Sequence, residues 1–285
     1  MNIPKKILLN YTNVNRTVFK RFDLIGGKYT YHYLLEKIDL QFFSHFKEGH
    51  DQLTILLPGA VNRAKTLYNF QRYSWSDDII GSVISFLDPT VDENNNITIG
   101  WFQGNSETYA IPVLVSLIKR ILCANNIKES NVTIFGSSAG GFSSLKIANE
   151  FPNSRIIVVN PQTRIYNYFY KEYKKLASWI FPQVRTKDVK DIYKDRLRIS
   201  LKLEQRSQPI LYYQNIYDEH HLRYHLKPML KYLDKEQYIE TNGLFEKLEK
   251  KSQLQVIYYS DPHSGHSPLS KIDTIRILST GAVIS

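Results

Sequence analysis

From residue 51 onward the chain alternates between short, largely apolar runs and longer stretches whose apolar residues recur every three or four positions. The runs are Leu53–Leu57, Gly81–Leu87, Val132–Phe135, Arg155–Val159, Ile210–Tyr213 and Leu254–Tyr259, with Asn96–Trp101 a weaker case. Most stop at a turn signal: Pro58-Gly59, Asp88-Pro89, the glycines from Gly136 to Gly141, Asn160-Pro161, Asn215 to Asp218, and Asp261-Pro262. An apolar run without alternation suits a strand covered on both faces. Between the runs, Thr108–Asn125 places Ile111, Leu114, Val115, Ile118 and Leu122 on one helix face, and Gly141–Glu150, His221–Leu233 and Asp273–Leu278 follow strands in the same way. Strand–helix alternation with short connections predicts an α/β fold, a doubly wound and mostly parallel sheet.

Two regions depart from this rhythm. Thr17–Asp23 and Lys28–Leu35 are rich in Val, Phe, Tyr and Thr around Gly26-Gly27, which reads as an N-terminal β-hairpin. Asp39–Glu48 then reads as a short helix. Residues 162–208 hold two helical stretches, Arg164–Phe181 and Lys187–Glu204, between neighbouring strands; the expectation is a helical cap over the carboxyl ends of the strands. All 285 residues are expected in one domain, with 1–50 as the hairpin extension and 162–208 as the cap insertion.

Composition narrows the class. With 42% hydrophobic and 22% charged residues the chain is globular. The single cysteine, Cys123, excludes an intrachain disulfide and a Cys-based metal site, and is expected to be buried and inert. Lys5 and Lys6 precede only Ile7, Leu8 and Leu9, too short an apolar run for a signal peptide, and no stretch approaches the ~20 apolar residues that span a bilayer. The expectation is a cytoplasmic protein. A net charge of +10 favours an acidic partner, such as an anionic glycan or a phosphate-bearing cosubstrate. No nucleic-acid-binding signature is present, and no nucleic-acid partner is expected.

The sharpest local signal is Gly136-Ser137-Ser138-Ala139-Gly140-Gly141 directly after a strand and before a helix. Ser138 is the centre of G-x-S-x-G, a nucleophile elbow in which a tight turn presents the hydroxyl and small neighbours let strand and helix approach. The Ala139 N–H would then face a developing oxyanion at the helix N-terminus. A second oxyanion donor is expected after an early strand, at Gly59 or Ala60. A serine hydroxyl needs a base, and the base needs an orienting carboxylate. Asp218, with Glu219 beside it, and His266, with His263 as rival, supply acid and base after later strands in the order serine, acid, histidine. His221 and His225 share a helix face but lack the glutamate of a zincin, and no metal site is expected; His221 is a candidate substrate contact.

Taken together, Gly136 to Gly141, Asn160-Pro161-Gln162, Asp218 followed by His221, and Gly265-His266 resemble the α/β-hydrolase-type capsular polysaccharide O-acetyltransferases of bacteria, over roughly residues 51–280. The resemblance implies an α/β-hydrolase fold with a Ser138–Asp218–His266 triad. It also implies acetyl transfer from acetyl-CoA, with no permanently bound cofactor, to a sugar hydroxyl of a polysaccharide. Arg63, Arg72 and Arg164 are candidates for anion contacts. The helix from Arg164 to Phe181 mixes aromatics and lysines, which suits a sugar-lined site, a peripheral contact with the inner face of a membrane, or a cap with a buried aromatic side. An esterase or deacetylase using the same triad, and a non-catalytic glycan-binding protein, are the competing readings.

Overall fold

The computed structural model describes residues 22–65, 70–92, 95–242 and 252–280, together with the backbone of 15–18. Its strands are β1 (Asn15–Val18), β2 (Gly27–Leu35), β3 (Ile38–Phe46), β4 (Leu53–Leu57), β5 (Ser82–Phe86), β6 (Val132–Ser137), β7 (Arg155–Val159), β8 (Ile210–Asn215), β9 (Tyr238–Asn242) and β10 (Leu254–Tyr259). Among the described residues these form one open sheet in the order β1-β2-β3-β5-β4-β6-β7-β8-β10-β9. From β5 to β9 all neighbours run parallel. β3 is antiparallel to β5 and to β2, and β1 is parallel to β2. Residues of β4, β5, β6 and β8 are buried throughout, as expected of strands covered on both faces.

The N-terminal hairpin is shifted along the chain from its expected place. Its turn is Glu36-Lys37, with φ of 49° and 65°, so both central residues are left-handed as a two-residue hairpin requires. Gly27 opens β2 instead of turning the chain, and residues 19–21 of the expected first strand lie outside the described residues. Asp39–Glu48 is not a helix. Leu40 and Phe43 sit three apart, which mimics helical spacing, but pairing with β2 and β5 makes this stretch the strand β3. Asn96–Trp101 is not a strand either. Its backbone groups are taken by loop partners: the Asn95 side chain accepts from Ile97 N–H, and Thr98 C=O accepts from Val61 N–H. Cys123 is exposed, because it lies on the outer face of its helix, opposite Ile118, Ile121 and Leu122.

The helices are α1 (Ala110–Ala124), α2 (Ala139–Ile147), α3 (Tyr170–Ile180), α4 (Thr186–Ile192), α5 (Lys194–Leu197), α6 (Glu219–His221), α7 (Lys227–Leu230) and α8 (Lys271–Thr280). α1 buries Ile111, Leu114, Val115 and Ile118 against one sheet face, while Ile277 and Leu278 of α8 cover the other. Each such side chain contributes roughly 1.5–3 kcal/mol of burial. The segment between β7 and β8 carries α3, α4 and α5, whose Leu176, Ile180 and Val189 pack with Trp101, Ala139 and Phe142. This places the insertion over the start of α2.

The expected helix His221–Leu233 is broken by a π turn at Leu222–Leu226. Pro228 explains the break: it has no N–H for the Tyr224 carbonyl, and its ring would crowd that carbonyl in a regular helix. Side chains from the strand-following loop take up the loosened carbonyls. Asn167 donates to Tyr224 C=O at 2.9 Å, and Thr163 to His225 C=O at 2.7 Å.

Candidate active site

Ser138 lies between β6 and α2 with φ 55° and ψ −119°, a left-handed conformation that costs a non-glycine residue about 1–3 kcal/mol. Neighbours hold it there. Its N–H donates to Val159 C=O at 3.0 Å, and its own carbonyl accepts from Phe142 and Gln162 N–H at 3.1 and 3.2 Å. The flanking glycines are required by contact. A Cβ on Gly136 would lie 2.2 Å from the Gly140 backbone, and one on Gly140 would lie 2.2 Å from Leu57 C=O.

Three loops bring the expected residues together. The Ser138 Oγ is 3.0 Å from His266 Nε2, and His266 Nδ1 is 2.7 Å from Asp218 Oδ2. His263 and Glu219 are not part of this contact. The His263 N–H is tied to Asp261 Oδ1 at 3.1 Å. Glu219 is exposed in α6. Asp218 caps α6, accepting the His221 N–H at 3.2 Å, and is buried. Burial pushes its pKa up, but hydrogen bonds from His221 and His266 outweigh burial and hold the carboxyl well below the usual carboxylate range.

Asn215, at the end of β8, organises the histidine loop. Its Nδ2 donates to Asp261 and Gly265 C=O, both at 2.8 Å, and its Oδ1 accepts from Asp261 N–H at 3.1 Å. Gly265, with φ 50°, then turns His266 inward. Asn160, itself at φ 43°, ties the end of β7 to this unit: its Oδ1 accepts Asn215 N–H at 2.8 Å and its Nδ2 donates to Tyr259 OH at 3.0 Å.

The oxyanion candidates separate. Ala139 is the first residue of α2, so its N–H has no intrahelical acceptor. Gly59 runs beside Ser138, but its N–H donates to Gln71 Oε1 at 2.9 Å, while Gln71 Nε2 donates to Ala60 C=O at 2.9 Å. The Gly59 N–H is therefore already taken by a side chain, while Ala60 is held through its carbonyl.

His221 is buried, with both ring nitrogens engaged: Nδ1 at 3.0 Å from Asp218 Oδ1, Nε2 at 3.1 Å from Gln162 Nε2. A direct substrate contact is thus replaced by an internal one. Burial pushes His221 down to about 4 despite the Asp218 hydrogen bond. Its ring stacks on His266 with centroids 4.0 Å apart. His225 spends its Nδ1 lone pair on Thr163 N–H at 3.2 Å, which leaves that atom engaged with the backbone and not facing outward.

The three arginines also take other partners. Arg63 donates to Ile97 and Asp92 C=O at 2.6 and 3.0 Å, and Arg164 to Pro228 C=O at 3.1 Å, so both hold backbone. Arg72 reaches Ser137 Oγ at 2.8 Å and lies over Phe135 and Trp75; burial lowers its guanidinium to about 10. Sequence reasoning missed the roles of Gln162, Trp101 and Asn215. The signal for Gln162 was present, since Asn160-Pro161-Gln162 ends β7 beside the serine turn. Nothing local marked Trp101.

A parallel sheet that presents a serine on a strained strand–helix turn, a histidine on a late loop and an aspartate between them defines the α/β-hydrolase fold. No family model and no curated protein matches the chain. Solved structures of this fold do. A histidine-to-alanine variant of the capsule O-acetyltransferase of Neisseria meningitidis serogroup A, in complex with CoA, is 16% identical with TM-score 0.58, covering 86% of this chain and 91% of that one. The 2,6-dihydroxy-pseudo-oxynicotine hydrolase is 14% identical with TM-score 0.57, covering 90% and 69%. Acetyl xylan esterase 1 from Thermoanaerobacterium sp. JW/SL YS485 is 11% identical with TM-score 0.55, covering 89% and 83%. These likenesses are likenesses of fold.

Proposed function

We propose that this chain is a serine enzyme that moves an acyl group through an acyl-enzyme on Ser138. The observation that carries the reading is the unbroken chain of contacts from Ser138 Oγ through His266 to Asp218. His266 takes the Ser138 proton as Oγ attacks the acyl carbonyl, then delivers it to the leaving group. Asp218 orients the ring and stabilises its charged form. Ala139 and Ala60 N–H groups receive the oxyanion.

The substrate reading is O-acetylation of a bacterial capsular or surface polysaccharide with acetyl-CoA as donor, on the cytoplasmic side. It is supported by the Gly136–Gly141 and Asn160–Gln162 motifs, by the net charge of +10, and by a fold shared with a capsule O-acetyltransferase crystallised with CoA. Exposed aromatic side chains also meet the histidine group beside the site: Phe169 stacks on His220 at 5.0 Å, and Tyr224 lies 4.9 Å from the same ring. Such faces suit sugar rings. On this reading the 162–208 helices cap the acyl-enzyme and limit water. No helix among the described residues is long and apolar enough to cross a membrane.

Ester hydrolysis with the same triad is the second reading, favoured by the 38% exposure of the His266 side chain, which leaves room for water. Fluorophosphonate labelling of the wild type, abolished in Ser138→Ala, tests the nucleophile. Acetyl-CoA consumption that depends on added capsular polysaccharide marks transfer; p-nitrophenyl acetate turnover indifferent to polysaccharide marks hydrolysis. Equal labelling of Ser138→Ala refutes both.

A further inference from the structure

We propose that Gln162 is a catalytic hydrogen-bond donor to the Ser138 oxygen and that His221 is the positioning residue that aims it. The inference rests on the acyl-enzyme reading above and is carried by donor accounting. The Trp101 indole N–H can only donate, and it meets Gln162 Oε1 at 2.9 Å in a buried contact. This orients the amide, with its two N–H hydrogens facing Ser138 Oγ at 2.7 Å and His221 Nε2 at 3.1 Å. His221 Nε2 must then carry a lone pair, and its hydrogen sits on Nδ1, donated to Asp218 Oδ1 at 3.0 Å. Because Ser138 Oγ accepts from Gln162, its own hydrogen points to His266 Nε2 at 3.0 Å, and His266 Nδ1–H points to Asp218 Oδ2 at 2.7 Å. The five side chains close a ring in which every N–H and O–H has one acceptor.

The ring acts unequally on the two halves of the reaction. In acylation the Oγ–carbon bond forms, the Oγ proton passes to His266 Nε2, and the leaving group departs with that proton. In deacylation the acceptor hydroxyl gives its proton to His266, its oxygen bonds the acyl carbon, and the Oγ–carbon bond breaks as Oγ recovers the proton. As Oγ departs it gains negative charge, which the Gln162 N–H meets directly. Removing the donor therefore slows deacylation more than acylation.

His221 must stay neutral to serve. A second hydrogen on Nε2 would oppose the Gln162 N–H and place a cation against the stacked His266 ring. The titratable groups that face it are Asp218, His220, His225, His266 and Tyr168. Its burial among them supports the neutral form.

Histidine-ring ¹H–¹⁵N spectra of the full-length wild type, from pH 5 to 8, test the assignment without mutation. The expected result is a neutral His221 with its hydrogen on Nδ1 throughout; a hydrogen on Nε2 overturns the proposal. In stopped-flow turnover of p-nitrophenyl acetate, Gln162→Ala and His221→Phe should each slow the steady state after the burst about 10- to 100-fold. Fluorophosphonate labelling of Ser138 should fall much less. The double variant should be no worse than the more damaging single one, and His221→Gln, whose carboxamide oxygen can accept from Gln162, should recover part of the loss. Equal losses in labelling and turnover, or losses that multiply in the double variant, overturn it. If Ser138→Ala labels like the wild type, the acyl-enzyme reading itself fails.

Discussion

The late loop around His266 and the short helix around His221 bring the same side chain to the same carboxylate. Each imidazole donates from Nδ1 to one oxygen of Asp218, and the two rings stack at 4.0 Å. Their surroundings differ. The His266 side chain is 38% exposed and its Nε2 faces Ser138, whereas that of His221 is 2% exposed and its Nε2 faces an amide that can only donate there. A proton can arrive at and leave the first nitrogen during a reaction. At the second it would be desolvated and opposed. Sharing a carboxylate does not make a histidine a base; the partner of its far nitrogen and its access to solvent do.

The largest test of this contrast removes the proposed base and nucleophile. Ser138→Ala and His266→Ala should each lower kcat for p-nitrophenyl acetate by about 10⁴- to 10⁶-fold, with the double variant no worse. A His221→Ala loss as deep as that of His266→Ala would erase the distinction.

A smaller effect concerns the loop. Asn215→Ala removes the side chain that joins β8 to Asp261 and Gly265, so His266 should lose its aim. The expected cost in kcat is about 10- to 100-fold, because a misplaced catalytic group suffers on that scale. Circular dichroism should show the fold retained.

Acid should strike the buried histidines first. Burial lowers both His221, to about 4, and His225 from the ordinary 6.5. The unfolded chain binds these protons below pH 6.5 while the folded one refuses them, so stability should fall as pH drops from 6.5 toward 4. Asp218 is held low, so its contribution is present above the ordinary 3.8 and is lost only in stronger acid. Urea midpoints across pH 4–7 measure the slope. His225→Asn, which keeps an acceptor for Thr163 N–H, should flatten it.

The smallest expected effects are at the sequence neighbours. His263→Ala and Glu219→Ala should change turnover by less than about twofold, since surface changes away from such contacts cost little. A large loss in either would reassign base or acid.

Much of this architecture was legible before any fold was seen. Leu53–Leu57, Arg155–Val159 and Leu254–Tyr259 are strands because a parallel strand covered on both faces needs a largely apolar run without alternation, and that is a local property. The serine turn was equally plain, since only glycine at 136 and 140 permits the approach of strand and helix there. The order serine, acid, histidine put Ser138, Asp218 and His266 among the candidates and left Glu219 and His263 open beside them.

Other features depended on distant partners. Leu40 and Phe43 fit a helix or a strand, and only pairing with β2 and β5 chose. Glu36-Lys37 turns the hairpin although Gly26-Gly27 carries the stronger turn composition. Neither the engagement of the Gly59 N–H by Gln71 nor the ring through Gln162 and His221, oriented by Trp101, could be read from spacing, because Gln71 and Trp101 reach their partners across the chain. Sequence by itself determined the buried parallel strands at the centre of the sheet, the strained serine turn and the reactive residue types, for these follow from local apolarity and backbone sterics. Tertiary structure alone decided which histidine meets the serine, since burial and hydrogen-bond partners exist only after remote segments pack.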